Sequence, residues 1–555
     1  MFFRRPSEFR ATYEICTVKL ELRLISMAVL SSTLAFVPPA WAAGDANKLT
    51  CKTTAECAAQ TARSGLTTTG GLGLFTSAQD KAEDRFFWLS RMNKASIVML
   101  AEEGIVSRPI AQKIASGVDF SIKQAEAPNG RRPQDVIQIE KIIAEVAGPD
   151  ASRIHAGRSR QDMYAAFYFG MMRTQVLDTT TEMNAMRERI LKLAERHVDT
   201  VVPAYTNGVQ AQPITYGHYL LAFADSFDRD AQRVREAYQR LNRSPMGTAV
   251  LANSAWPLNR ARLAELIGFD GMIVNSYDSA QVAAIDMPVE LANITASSAL
   301  RVSAMIGDIH TQYHQTQPWI LLGSGSTYTS SAMPQKRNPG LLMRVREASS
   351  DVAGKASLVM FRAHNTTPGM MDPRLAWQQN GLFVSATDMY RKMNQVLDAL
   401  EINRERALEE TQADWITSME LADTLQRDYD VPFRVGHGFA SGIVTYARSQ
   451  QLKPADFPFA KAVELYADAA RKYELKDTKL PLDETAFRNA LSVEHMVRTR
   501  TGVGGPQPAE VRRMLAQAKQ TLASDQAWLA EQKQKIVRAD QRLDAEFRKL
   551  LPVSK

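Results

Sequence analysis

From about residue 75 onward, apolar residues recur at three- and four-residue steps with few interruptions, a pattern that confines the chain to helices packed on helices. Between Glu290 and Ile320 the residues Val302, Met305, Ile306, Ile309 and Tyr313 keep this rhythm, and Ala386, Met389, Met393, Val396 and Leu400 repeat it with a heptad-like spacing. β-branched alternation is scarce, and proline and glycine fall mostly between the periodic segments. Small residues (Ala292, Ala296, Ser297, Ala299, Ser303 and Ala304) cover several sides of the first of these helices. Such a surface belongs inside a bundle rather than against water. A core helix of one subunit and a helix of an oligomeric bundle satisfy this pattern equally.

With 555 residues, the chain is too long for one compact core. Breaks in the pattern divide it into residues 43–157, a shorter helical region; 158–412, which carries the long helices; and 413–555, shorter helices ending in a charged tail. The polar residues of the tail, from Leu515 to Leu551, suit a solvated or subunit-contacting helix. Ahead of these, Arg4, Arg5, Arg10, Lys19 and Arg23 precede an apolar run from Leu24 to Val37 and the small-x-small sequence Ala40-Trp41-Ala42. This layout predicts a signal peptide over residues 1–42 and an exported, periplasmic protein, with no membrane segment once the signal is removed. Cys51 and Cys57 would then either pair across a short loop or remain two thiols in the tail. The net charge of +7 is spread along the chain without a basic helix or an aromatic-interleaved basic patch, which argues against a nucleic-acid partner. The three Cys and eight His show no ligand spacing, so no metal site is expected. The glycine cluster Thr69–Gly73 lacks the Lys-Ser/Thr of a phosphate loop.

One polar stretch stands out. Gly323 to Ser331 is small, polar and poor in helix formers between two helical runs, which predicts a loop. Lys336 and Asn338 follow, then Pro339 as a first-turn residue of the next helix. A hydroxyl pair, an ammonium and an amide beside a helix N-terminus suit carboxylate binding and proton abstraction. A Ser/Thr-rich loop that merely caps a helix would read the same way.

Ser330-Ser331-Ala332-Met333-Pro334-Gln335-Lys336-Arg337-Asn338-Pro339 resembles the GSSxMPxKxNP loop of the fumarase/aspartase superfamily, with Thr329 where glycine is usual. His155 to Asp162, reading HAGRSRQD, resembles the HTGRSRND motif of argininosuccinate lyases. Tyr205-Thr206 through Gln212-Pro213 resembles their YTHLQRAQP segment, and Val431 to Arg434 with His437 their MPFRxAH stretch. The resemblance spans roughly residues 85–515. It implies an all-α, three-domain fold whose central long-helix bundle is shared in a homotetramer, with active sites assembled from several subunits. It also implies no cofactor, and an anionic N-succinyl small molecule as substrate. Position by position, Ser330 corresponds to the catalytic base, and Lys336 to a catalytic residue stabilising the doubly charged aci-carboxylate. Ser159, Arg160, Gln161, Thr206, Asn207, Gln212, Ser331, Met333 and Asn338 correspond to substrate-binding positions.

Three departures fall on the amine side of that substrate. The family's histidine beside Thr206, a candidate acid for the leaving group, is Asn207, which hydrogen-bonds but delivers no proton at neutral pH. Gln161 replaces an asparagine, and the segment that holds the arginine portion is not recognisable in Gly369–Arg374. Two functions follow as expectations. One is a carbon–nitrogen lyase releasing fumarate from argininosuccinate or another N-substituted aspartate. The other is a catalytically silent relative acting as a dicarboxylate-binding or structural tetramer.

Overall fold

In the computed structural model, residues 83–371 and 381–552 are described. These residues form an all-α fold with three small two-stranded sheets. The N-terminal part comprises α1 (Arg85–Glu102), α2 (Arg108–Glu126) and α3 (Val136–Ala147), followed by a 3-10 turn over Gly148–His155. Asp84 starts α1 by accepting from the Phe87 amide at 2.9 Å, so a side chain satisfies one of the donors that a helix start leaves open.

The long helices come next. α4 (Arg160–Arg196) runs for 37 residues and leads into β1 (Val201–Thr206) and β2 (Val209–Thr215), an antiparallel hairpin. α5 (Tyr216–Leu241), the short α6 (Arg260–Leu266) and α7 (Ala283–Tyr313) follow. A π-helical turn over Asp278–Val282 leads directly into α7. β3 (Ile320–Leu322) precedes a second hairpin, β4 (Tyr328–Thr329) with β5 (Arg337–Asn338), from which α8 (Gly340–Ala363) departs. α9 (Leu382–Ala399) runs into β6 (Leu400–Ile402), which pairs with β3. Helix α7 packs against α8, α4 against α5 and α9, and α8 against α9, giving a five-helix bundle.

The bundle core contains Leu191, Phe227, Val302, Ile306, Val345, Val352 and Met393. Three of these, Val302, Ile306 and Met393, lie on the two periodic segments that the sequence singles out, because a stripe recurring at helical spacing has one face to bury. A second core joins α1–α3 to the first half of α4 through Trp88, Leu89, Phe167 and Phe169. Here α1 and α4 approach closely at Gly170, where an added Cβ would lie 2.1 Å from the Trp88 ring.

Beyond the bundle come α10 (Arg404–Gln412), α11 (Ser418–Tyr429), α12 (Phe433–Ser449), α13 (Phe459–Lys472), α14 (Glu484–Leu491) and α15 (Val493–Thr499). Of these, α11 to α14 enclose a third core around Leu421, Phe439, Phe457 and Phe487, while Ala407 of α10 joins the bundle core. The last helix, α16 (Pro508–Arg548), expected from its composition to be solvated or subunit-contacting, buries one face within its own chain. Leu515, Ala518 and Leu522 enter the bundle core, and Leu529, Leu543 and Phe547 the N-terminal one. Its apolar positions are sparse but lie on one face, and α4, α5 and α1 cover that face. Among the described residues no helix is long and apolar enough to cross a membrane. Residues 1–42, expected to be a signal peptide, Cys51, Cys57 and the Thr69–Gly73 cluster lie outside the described residues.

Candidate active site

The serine loop is the tip of the β4–β5 hairpin. Tyr328 pairs with Asn338 and Thr329 with Arg337, so Ser330 to Lys336 form the connection. Ser330 Oγ accepts from the backbone amides of Ala332 at 3.3 Å and Met333 at 3.2 Å. Two N–H dipoles aimed at one hydroxyl oxygen favour negative charge on it, the condition a serine needs to act as a base. The tip is held further by the Lys336 amide donating to Met333 O at 3.1 Å. The Arg337 guanidinium also donates to Pro334 O at 2.8 Å. Asn338 Nδ2 donates to Tyr328 O at 3.3 Å, clamping the hairpin base. Ser331, Met333 and Lys336 are exposed.

Helix α8 begins at Gly340 with Pro339 as its cap, so Asn338 lies on the strand ahead of the helix. Gly340 gives the Tyr328 ring room, since a Cβ there would sit 3.0 Å from it. A cleft of about 490 Å3 opens at the hairpin base between Gly325–Tyr328, the start of α8 and the end of α9, with Arg344 on its wall.

Ser159, Arg160 and Gln161 start α4. Ser159 is the N-cap of a capping box: its Oγ accepts from the Gln161 amide at 3.2 Å, and Asp162 Oδ1 accepts from the Ser159 amide at 2.7 Å. Asp162 Oδ2 also accepts from the amides of Gly247 at 2.9 Å and Thr248 at 3.1 Å. Burial pushes its carboxyl pKa up, against these hydrogen bonds, which favour the charged form. The two arginines of the Arg-Ser-Arg motif separate. Arg158 is buried, donates to Ser96 Oγ at 3.1 Å, and is pushed down to about 10 by desolvation. Arg160 is exposed, with Asp135 Oδ2 at 3.4 Å. An exposed guanidinium on the first turn of a 37-residue helix, at the positive end of its dipole, suits a carboxylate.

Thr206 ends β1, and Asn207-Gly208 form the two-residue turn of the β1–β2 hairpin, with φ of 52° and 78°. Positive φ at both central residues is the I′ turn that Asn-Gly favours. Asn207 therefore holds the position of the family's histidine and also makes the turn. Gln212 lies on β2, its Nε2 3.4 Å from Met419 Sδ. Gln210, which the sequence did not single out, ties the hairpin to α10 through Glu410 Oε1 at 2.9 Å. The Asn-Gly dipeptide between apolar-containing runs was the sequence signal for this hairpin.

The residues expected in one site thus stand on three structures: the β4–β5 tip, the α4 N-terminus and the β1–β2 turn. Among the described residues no hydrogen bond or ion pair joins one of these to another. Gly369 to Met371 pack near the π-helical turn, with the Gly369 amide donating to Gln281 Oε1 at 3.1 Å. The rest of Gly369–Arg374 lies outside the described residues. Among the described residues no group of three or more His, Cys, Asp or Glu is placed to hold a metal.

Residues 100–354 match a family model described as Lyase. The chain is 31% identical over 452 residues to the argininosuccinate lyase of Methanocaldococcus jannaschii, covering 80% of this chain and 90% of that protein. It is 32% identical over 453 residues to argininosuccinate lyase 2 of Agrobacterium fabrum, covering 80% and 87%. The crystal structure of EDDS lyase in complex with formate superposes with a TM-score of 0.73 at 28% identity, covering 84% of this chain and 92% of that one. The expectation of an exported, periplasmic protein is corrected, because the argininosuccinate lyases that this chain matches are cytosolic enzymes. Basic residues ahead of a 14-residue apolar run, Leu24 to Val37, and then small residues are a compositional pattern. Composition of that kind is not unique to cleaved signals. The loop, the arginine-bearing helix start and the matches along most of the chain agree: the chain belongs to the argininosuccinate lyase family of the fumarase/aspartase superfamily, as a carbon–nitrogen lyase of the fumarate-releasing type.

Proposed function

We propose that this protein eliminates an amine from an N-substituted aspartate and releases fumarate, with argininosuccinate as the reference substrate and Ser330 as the base. The observation that carries this reading is the pair of backbone amides, of Ala332 and Met333, directed at Ser330 Oγ. They stabilise an alkoxide that takes the proton from the carbon beside a substrate carboxylate. The resulting aci-carboxylate carries two negative charges, and the Lys336 ammonium stabilises it more than the ground state. The electron pair then forms the carbon–carbon double bond, and the C–N bond breaks. Ser159 and Arg160 at the α4 N-terminus hold a succinyl carboxylate with Thr206, while Gln161, Asn207, Gln212, Ser331, Met333 and Asn338 complete the binding surface.

The three structures meet between subunits of a homotetramer. Gly307 on α7 and Gly354 on α8 support this, since a Cβ at either would meet nothing within 4 Å in its own chain. A mid-helix glycine costs about 1 kcal/mol relative to alanine, and here its own chain has no packing reason for it. Exposed Leu300 on α7 and Met343, Leu358 and Phe361 on α8 lie on the same two helices, at 62%, 47%, 39% and 76% exposure. A close helix–helix approach by a second copy accounts for both features.

A second reading, a silent dicarboxylate-binding tetramer, draws on Asn207, which supplies no proton to the leaving amine. The purified protein is incubated with argininosuccinate, EDDS and a panel of N-succinyl amines while fumarate absorbance is followed. Turnover of at least one compound is expected, with Ser330→Ala slower by about a hundred- to ten-thousandfold. Fumarate binding without turnover of any compound would establish the silent reading instead.

A further inference from the structure

Beneath the β1–β2 hairpin lies a cavity of about 180 Å3, roughly six water volumes at about 30 Å3 each. Tyr205 of the hairpin, Tyr216 and Tyr219 of α5, Asp308 and Gln312 of α7, and Trp319 line it. The Tyr216 and Tyr219 rings stack at 5.5 Å, and Trp319 stands edge-on to Tyr216 at 5.7 Å. Tyr219 Oη donates to Asp308 Oδ2 at 2.6 Å. Among the described residues, Asp308 has no cation within ion-pair distance. Among the described residues, the Tyr216 hydroxyl, on a side chain only 2% exposed, has no hydrogen-bond partner. Burial and the Asp308 charge push both phenols above their ordinary range, so both remain neutral hydrogen-bonding groups.

These features select a class of occupant. A half-buried carboxylate with one phenol hydrogen bond is short of countercharge. Aromatic faces attract cations, and a buried hydroxyl without a partner offers an acceptor to an N–H group. An anion would meet Asp308, and an apolar molecule would leave Asp308 and Tyr216 unsatisfied. We propose that this cavity binds a small organic cation, an alkylammonium or a guanidinium group, held by Asp308 and the Tyr216 hydroxyl between the aromatic rings. The hairpin above it carries Thr206 and Asn207 at its tip, so an occupant would brace that turn from below. The site does not rest on the elimination chemistry proposed above.

Isothermal titration of the full chain with n-butylammonium chloride and with methylguanidinium chloride tests this, at constant ionic strength, against the neutral n-butanol and methylurea. At least one cation is expected to bind saturably and its neutral counterpart to bind at least tenfold more weakly. Asp308→Asn is expected to weaken the cation at least tenfold. Tyr216→Phe, which keeps the ring and its volume, should weaken it severalfold. Ser330→Ala should leave the affinity unchanged, which separates this site from the serine loop. Absence of saturable binding by both cations, equal binding of the neutral compounds, or unchanged affinity in Tyr216→Phe together with any folded Asp308 variant would overturn the proposal.

Discussion

At the scale of single residues, two positions join the fold to its proposed chemistry. Asn207 has φ of 52° in a turn that tolerates asparagine, aspartate and histidine better than other side chains. Asn207→His is therefore expected to keep the hairpin and to restore a titrating group beside Thr206. If proton delivery to the leaving amine limits the rate, kcat rises about tenfold and gains a pH dependence near the ordinary imidazole value, about 6.5. A flat pH profile in a pH–rate measurement would show that this turn takes no part in proton transfer. Gly170 is constrained differently, because the Trp88 ring occupies the space of a Cβ and belongs to a rigid core. Gly170→Ala is expected to destabilise the protein by about 1–3 kcal/mol through overpacking, read as a lowered midpoint in denaturant unfolding. The serine loop was legible as a polar loop from its residue types, and as a candidate for proton abstraction from its resemblance to the superfamily loop. The inward turn of Arg158 and the outward turn of Arg160 were not, because two arginines separated by one serine look alike until a helix start sends them in different directions.

At the scale of elements, the junction from α4 through the β1–β2 hairpin to α5 depends on His197. Its Nδ1 lies 2.9 Å from Thr200 Oγ1, its carbonyl accepts from the Gly217 amide at 2.8 Å, and its ring meets Tyr216 edge-on at 5.8 Å. Desolvation, then Arg404 and Arg196, push its pKa down to about 4. The folded state therefore binds the proton more weakly than the unfolded chain, whose histidine titrates near 6.5. The stability from neutral His197 is fully present above that value and is lost as pH falls towards about 4. Thermal melts between those limits should show the midpoint falling with pH, and His197→Asn should flatten that part of the curve. Helical periodicity does not reveal the β1–β2 hairpin. Its Asn-Gly signal is two residues long, too short to register in a window suited to helices.

At the scale of the whole molecule, the bundle presents residues that its own chain does not use. Gly354 is open to solvent on α8, so Gly354→Arg should leave the monomer folded and raise its helix propensity by about 1 kcal/mol. In a tetramer the same arginine obstructs a helix–helix seam. Light scattering is expected to show dissociation to smaller species, with fumarate release lost while circular dichroism is unchanged. An intact, active tetramer carrying arginine at this position would place the subunit contact elsewhere. The charged tail belongs at this scale too. Composition suits α16 to a solvated or subunit-contacting place, and one face of its 41 residues spans two cores of its own chain.

The sequence by itself determined the helical class, the long bundle segments and the family, because helical periodicity and a ten-residue loop of unusual composition are local and survive without a partner. Resemblance to the superfamily loop also singles out Ser330 as the proposed base, and the departures from the family pattern fall at Asn207, Gln161 and Gly369–Arg374. Only the tertiary structure decided that the candidate residues stand on three separate structures, and that Asn207 makes a hairpin turn. The same holds for Asp308, Tyr216, Tyr219 and Trp319 meeting around one cavity. Those placements depend on contacts between residues far apart in the chain, and no window of sequence contains both sides of such a contact.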